Sequence, residues 1–471
     1  MSRESKLMKN TAILGIGAIF SKGLVFLMIP FFSRWLSVDD YGNFDLYSTY
    51  ITLLIPFMTL SSGEAIFRFL IDADKNEEKK QIITNGLLIF GIGNAVTIAI
   101  AMTYFIQSSK NIAIPFCCFL FCEALNQFAL TYLRGIKQLT LYTICNIMSM
   151  VGIAVFVTLF VKLLSLGLAG MLYGYATGYL ISSIYALTAT KFHSYIDLKT
   201  IESREVKELV KYSAPLIPNA ISWWIVNASD RTIINMFLGS VANGIYAIAY
   251  KVPSLCTTLF SVFNISWQEN VSSAINDEDR ETYFTKIFTN MTKILISICV
   301  CILSIDFILF HYIFADKYFE GMNYVPILIT SCIFTVISQF FGGIFIGLKE
   351  PKYNGGTSVM AAIVNIVTHL LLIKVCGLYA AALSTIISFA VLCIVRYVII
   401  RKRFSFSFDK KILLYIFIYC YFIVMHYLDI MIFNWFNILI AGCIFLYVNK
   451  EFVIKFLNQY KKRRLKSNYK Y

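Results

Sequence analysis

The chain has 471 residues, 58% hydrophobic and 14% charged, with a formal net charge of +14. That balance lies far from the soluble norm and excludes a water-soluble enzyme of two or three domains. The positive excess sits in short links and in the C-terminal tail, as membrane topology requires, so it does not point to nucleic acid.

Fourteen apolar stretches are predicted to span the membrane, each near the roughly 20 residues a bilayer core demands of a helix. The first six cover residues 11–32, 42–60, 82–106, 112–133, 141–161 and 166–189. Six more cover 210–233, 239–263, 287–310, 324–347, 355–373 and 377–400, and a final pair covers 412–427 and 430–448. Residues 1–9 precede an apolar run too long for a cleaved signal, so the run reads as the first helix. With the N-terminus inside, 33 of the 41 lysines and arginines fall on the cytoplasmic side. The outer links carry only Arg34, Lys110, Lys162, Arg231, Lys317 and Lys374. The positive-inside rule therefore predicts that both termini are cytoplasmic.

Three echoes divide the chain. Leu36, Gly42 and Phe44 recur as Leu238, Gly244 and Tyr246, at an offset of 202. Gly135-Ile136-Lys137 recurs as Gly347-Leu348-Lys349, and Gly167 to Gly170 as Gly377 to Ala380. The expected fold is an all-α polytopic membrane protein with two six-helix repeats, 1–189 and 210–400. A cytoplasmic linker, 190–209, joins them. An extra helix pair, 401–449, and a basic tail, 450–471, complete the chain. An even number of helices per copy gives both copies one orientation, an arrangement in which substrate binds near the midplane between halves.

Charges inside spans are the candidate site. Lys22 and Lys251 fall near the centres of the first and eighth spans, where a lysine costs about 2.5–3.5 kcal/mol on insertion scales. An anionic ligand would offset that cost. Glu123, midway along the fourth span, suits an internal ion pair, proton coupling or a hydrogen bond to sugar. Asp230 and Arg231, at the outer end of the seventh, suit a local anchoring pair, an outer gate or headgroup contact. Glu64, Arg68 and Glu269, at inner span ends, suit inner-gate salt bridges, headgroup capture or plain interfacial charge. Trp35, Trp267 and Trp435 fit an interfacial aromatic belt, and Trp223-Trp224 fit packing or sugar stacking. Asp306 carries little information, and His369 reads as a packing residue. The twelve cysteines lack metal-site spacing and read as small apolar packing residues. No cofactor is expected.

One segment is more specific. It runs from Tyr212-Ser-Ala-Pro215-Leu-Ile-Pro218, through Asp230-Arg231, to Asn243-Gly244-Ile-Tyr246-Ala-Ile-Ala-Tyr250-Lys251. With Asp40-Tyr41-Gly42-Asn-Phe44, Asn365 and Gly377-Leu-Tyr-Ala-Ala-Ala382, it resembles the Wzx-type polysaccharide flippases of the multidrug/oligosaccharidyl-lipid/polysaccharide (MOP) exporter superfamily. The likeness covers roughly residues 5–400. The last two spans depart from the twelve-helix minimum, although the lipid II flippases of the superfamily have fourteen helices.

The resemblance implies a flippase of the bacterial cytoplasmic membrane, not an enzyme. It would carry an undecaprenyl-pyrophosphate-linked oligosaccharide from the inner to the outer leaflet, with Lys22, Lys251 and Arg231 toward the pyrophosphate. Glu123 and Asp230 would serve coupling or ion pairing, and Glu64, Arg68 and Glu269 gating. Expected partners are the lipid-linked oligosaccharide, membrane lipid and the polysaccharide polymerase or assembly machinery. The competing transport readings are a lipid II flippase, whose cavity is lined by arginines, and a drug/cation antiporter, which favours acidic cavity residues. A polymerase or ligase needs a sizeable outer catalytic loop, and the outer links here have about 8–13 residues.

Overall fold

The computed structural model describes residues 23–450, apart from 25, 74, 108–111, 276, 406–408 and 410. The described chain is helical throughout. Helix α1 covers 26–35, followed by α2 (Val38–Met58), α3 (Ser62–Asp72), α4 (Asn76–Gln107), α5 (Ala113–Gly135), α6 (Leu139–Val157) and α7 (Gly167–Ala189). Then come α8 (Ser203–Ser213), α9 (Leu216–Ala274), α10 (Arg280–Ile308), α11 (Val325–Gly347), α12 (Pro351–Cys376), α13 (Tyr379–Arg401), α14 (Lys411–Leu428) and α15 (Met431–Val448).

Among the described residues, ten helices are long and apolar enough to cross a membrane, or eleven if the bent α2/α3 pair is one span. This is fewer than the fourteen expected, for identifiable reasons. The first span runs into residues that are not described. The seventh and eighth fall within α9, broken at Gly239 (φ 86, ψ 175) into α9a and α9b. Helix α7 forms over 23 residues, but its tyrosines and glycines lower its hydropathy. Residues 1–22 and 451–471 are not described, so the side of the termini stays an expectation from charge.

The chain divides into two compact units, Met1–Ala247 and Ile248–Tyr471. In the first, α2 starts at Ser37, whose side chain accepts from Asp40 N at 2.9 Å, with Asp39 and Asp40 in the first turn. It ends two residues beyond Pro56, and Leu60 and Ser61 then take φ of 48° and 51° before α3 leaves at 54° to α2. The linker is strapped to α4 in this unit. Asn85 donates to Thr200 O (3.0 Å) and accepts from Glu202 N (3.1 Å), and Thr84 accepts from Asp197 N (3.1 Å). Amphipathic α8 then buries Leu209 against Ala65 and Ile89. Residues 210–213, read from sequence as the start of the seventh span, therefore belong to α8. Pro215 interrupts the backbone hydrogen bonding before α9 begins.

In the second unit, Trp267 is 2% exposed, stacks on Phe340 at 4.2 Å and donates its N–H to Phe340 O at 2.9 Å. It is a core residue, not a member of an interfacial belt. Arg396 of α13, 4% exposed, ties three helices together. It donates to Ser338 O of α11 (2.7 Å) and, on α12, to Thr357 Oγ1 (3.0 Å), Asn354 O (3.1 Å) and Ser358 Oγ (3.0 Å). Hydrogen bonds to a charged donor contribute roughly 1.5–3 kcal/mol each. Arg396→Met is therefore expected to lower the thermal unfolding temperature in detergent by several degrees, and Arg396→Lys by less. An unchanged temperature in Arg396→Met would show that the four bonds do not hold these helices.

The extra pair docks within the same unit. His426 of α14 pairs with Asp306 of α10 at 3.2 Å and meets Met322 O at 3.1 Å through its other ring nitrogen. Tyr419 and Thr330 share a hydrogen bond of 2.9 Å, and Asn449 donates to Ser297 Oγ at 2.8 Å. Asp306 thus acts as a docking carboxylate, 0% exposed, a role its position near a span end did not reveal. All twelve cysteines are free thiols.

Candidate functional site

The two copies of the strongest sequence echo meet each other. At the ends that the charge pattern places outside, α2 and α9b begin side by side. Gly239, with its positive φ, makes the sharp turn from α9a into α9b. Ser240 Oγ donates to Asp39 Oδ1, and Asn243 Nδ2 donates to Gly42 O at 2.7 Å. The backbones approach so closely that a Cβ on Gly42 would run into Ser240 O and stand 2.8 Å from Gly244 N. A Cβ on Gly244 would run into Val38 O and stand 3.2 Å from Gly42 N. Gly42 and Gly244, like Val38 and Ser240, are 202 residues apart, so the contact is reciprocal between equivalent positions.

Below this seam lies a buried charge cluster. Arg231 Nε donates to Asp45 Oδ2 at 3.3 Å, with the side chains 9% and 12% exposed. The guanidinium lies 5.6 Å from the Tyr246 ring, and Tyr246 OH donates to Asp230 Oδ2 at 3.2 Å. Further along α2, Trp224 of α9a donates to Thr49 O at 2.8 Å. Arg231 thus reaches across to α2, and Asp230 engages α9b. Asp45, Asn243 and Tyr246 complete a cluster of which sequence reasoning named Asp230 and Arg231 as site residues, with Asn243 and Tyr246 quoted only in motifs. The signal for Asp45 was a lone carboxylate one turn beyond Asp39–Gly42 in an otherwise apolar run.

Glu123 occupies a second position in the same unit. It is partly buried on α5 and makes no hydrogen bond or ion pair among the described residues. Tyr175 and Tyr179 of α7 lie within electrostatic reach of it. Tyr175 packs on Phe44 (4.8 Å) and Phe119 (5.4 Å), and Tyr179 stacks on Phe119 (6.1 Å). Asn126, three residues on, is spent on Tyr179 O and Ser183 Oγ, both at 3.4 Å. A carboxylate in such surroundings can take up a proton or accept hydrogen bonds from a hydroxylated ligand.

Lys251 is partly buried on α9b, while Lys22 lies outside the described residues. Glu64 is exposed at the start of α3. Arg68 pairs with Asp72 at 2.5 Å in an exposed i,i+4 bridge. The Glu269 side chain is outside what is described. No group of His, Cys, Asp and Glu suited to a metal occurs among the described residues.

Long apolar helices make this a polytopic membrane protein, and its fold is similar to that of the MATE and MurJ transporters. Similar solved structures are a lipid II flippase MurJ in its inward closed conformation and an inward-facing multidrug resistance MATE family transporter of the MOP superfamily. The first gives a TM-score of 0.72 at 14% identity over 96% of this chain and 100% of that one. The second gives 0.66 at 16% identity over 84% and 94%. The polysaccharide biosynthesis protein family matches residues 7–267, and the chain belongs to that family.

Among curated relatives, the probable low-salt glycan biosynthesis flippase Agl15 of Haloferax volcanii is 22% identical over 397 residues, covering 82% of this chain and 81% of the relative. The Lsg locus putative protein 1 of Haemophilus influenzae is 34% identical over 64 residues, 14% of this chain. That match spans 16% of the relative's own length.

Proposed function

We propose that this protein is a flippase of the bacterial cytoplasmic membrane. It moves an undecaprenyl-pyrophosphate-linked oligosaccharide from the inner to the outer leaflet by alternating access, without making or breaking covalent bonds. The observation that carries this reading is the reciprocal Gly42–Gly244 seam, with its buried Asp45–Arg231 pair. It is a contact made by equivalent positions of the two repeats, at the ends expected outside, and built from groups that separate without chemical change. Opening such a seam exposes the interior on one side, which is what rocking of two repeats accomplishes. Membership of the polysaccharide biosynthesis family supports a glycan-bearing substrate.

Within this mechanism Lys22 and Lys251 hold the pyrophosphate as compact point charges, and Glu123 takes up a coupling proton or a sugar hydroxyl. Arg231 and Asp230 act at the outer gate, Arg231 becoming available to the headgroup when the seam parts. Lysines at these positions favour a polysaccharide carrier over an arginine-lined lipid II site or the acidic site of a cation antiporter.

The test is the leaflet distribution of lipid-linked oligosaccharide in cells with wild type, a deletion, or Lys22→Ala with Lys251→Ala. Inner-leaflet accumulation in both the deletion and the double variant, at normal protein level, is the expected result. Accumulation in the deletion alone would remove the lysine site and leave the flippase. Normal distribution in the deletion, in a host without a second flippase, would overturn the assignment.

A further inference from the structure

The break between α2 and α3 opens a pocket of about 170 Å³ against α5. Its polar lining comes from Ser61, Glu64, Gln127 and Thr131, on a floor that includes Pro56 and Phe128. Three of these polar side chains have no work to do within the protein. The side chains of Ser61, Glu64 and Gln127 make no hydrogen bond or ion pair among the described residues. Thr131 donates to Gln127 O at 2.8 Å, which leaves its hydroxyl oxygen free to accept.

The cations nearby are engaged elsewhere. Arg68 pairs with Asp72, Arg134 lies over the Phe67 ring at 4.5 Å, and Lys137 Nζ donates to Ile71 O at 3.4 Å. Among the described residues the pocket's lining holds one carboxylate and no cation, so it repels phosphate and accepts hydroxyl donors. A carboxylate accepts only, a primary amide both donates and accepts, and hydroxyls do either. That mixture on a small concave surface matches the adjacent hydroxyls of a sugar ring.

Position agrees with chemistry. From its start at Val38, α2 runs 21 residues to the break. At 1.5 Å per residue that is about 30 Å, the thickness of a bilayer hydrocarbon core. Counted from the end expected outside, the pocket lies at the inner boundary, where the glycan of an inner-leaflet lipid waits.

We propose that this pocket is a loading subsite for one sugar ring of the lipid-linked glycan, separate from the cationic site for the pyrophosphate. The proposal rests on the flippase reading above. Glu64 and Gln127 form the hydrogen bonds that read the sugar, and Ser61 and Thr131 complete them. The α2 break exists to open this space, and Glu64 recognises substrate instead of locking a gate.

The test measures equilibrium binding to the full chain, in a detergent without sugar headgroups. Two ligands are compared: the lipid-linked oligosaccharide extracted from cells lacking this protein, and bare undecaprenyl pyrophosphate. Wild type is expected to prefer the glycosylated ligand. Glu64→Ala and Gln127→Ala are each expected to weaken binding of that ligand about tenfold, the size of a lost hydrogen bond to a charged or buried group, with bare carrier unaffected. Both positions are exposed, so folding is preserved. No preference in wild type, a preference retained by both variants, or equal losses for both ligands would each overturn the subsite while leaving the flippase standing. Failure of wild type to bind either ligand would instead overturn the reading on which the subsite rests.

Discussion

Gly42→Ala is expected to stop transport while the protein still folds and inserts. The added methyl group meets backbone on two sides, Ser240 O and Gly244 N, and neither can swing away as a flexible side chain would. The seam must open by the width of a methyl group, which also breaks the 2.7 Å bond from Asn243 to Gly42 O. The conformation with these ends together is then disfavoured, and the population moves toward the state with them apart. The readout is oxidative crosslinking of Asp39→Cys with Ser240→Cys, whose native side chains are hydrogen-bonded, in a chain whose other cysteines have been replaced. Crosslinking is expected to fall sharply in Gly42→Ala and in Gly244→Ala. It should be unchanged in Gly91→Ala, where the new Cβ meets nothing within 4 Å. Undiminished crosslinking in Gly42→Ala would mean that the close approach is not required for this state.

The second large effect lies below the seam. Removing one partner of a buried ion pair typically costs about 3–5 kcal/mol, because the other charge stays buried without compensation. A loss of ~3 kcal/mol is more than a hundredfold in an equilibrium constant. Asp45→Leu and Arg231→Met are therefore each expected to deplete the closed-seam state by about that factor. The double variant should lose less than the sum of the two, since its groups are coupled through one contact. The same crosslink reports this, and a leaflet-distribution assay should follow it. If the two single effects simply add, the 3.3 Å pair carries no energy of its own.

The long apolar helices were legible in the sequence because hydropathy is a local property. Gly42 and Gly244 stood out as copies, although nothing in their motifs said that they would touch. Asp45 was passed over for the same reason: pairing with Arg231 across 186 residues depends on helix register, which no periodicity encodes. Trp267 shows the opposite error. A tryptophan near a span end fits an aromatic belt, but its ring stacks on Phe340 inside the core. Residues 210–213 were read as the start of a span because they run without a break into the apolar stretch that follows, whereas they finish an amphipathic helix ahead of Pro215. Asp306 was uninformative without its partner, and His426 gave no sign of being that partner. The polar pocket at the α2 break was equally hidden, since a positive φ at Leu60 and Ser61 leaves no mark in a sequence without glycine there.

The seam has the geometry of a self-complementary contact. Position 42 presses on 240 while 244 presses on 38, the isologous pattern that two identical subunits make across a two-fold axis. In a symmetric dimer a single glycine would serve both sides of that axis, and here it is kept twice in one chain. The ion pair breaks the symmetry. The counterparts of Asp45 and Arg231 at the same offset are Ala247 and Ile29, both apolar. One flank of the contact is therefore charged and the other greasy. A lock of that kind engages in one register only, which a true dimer of either half could not provide.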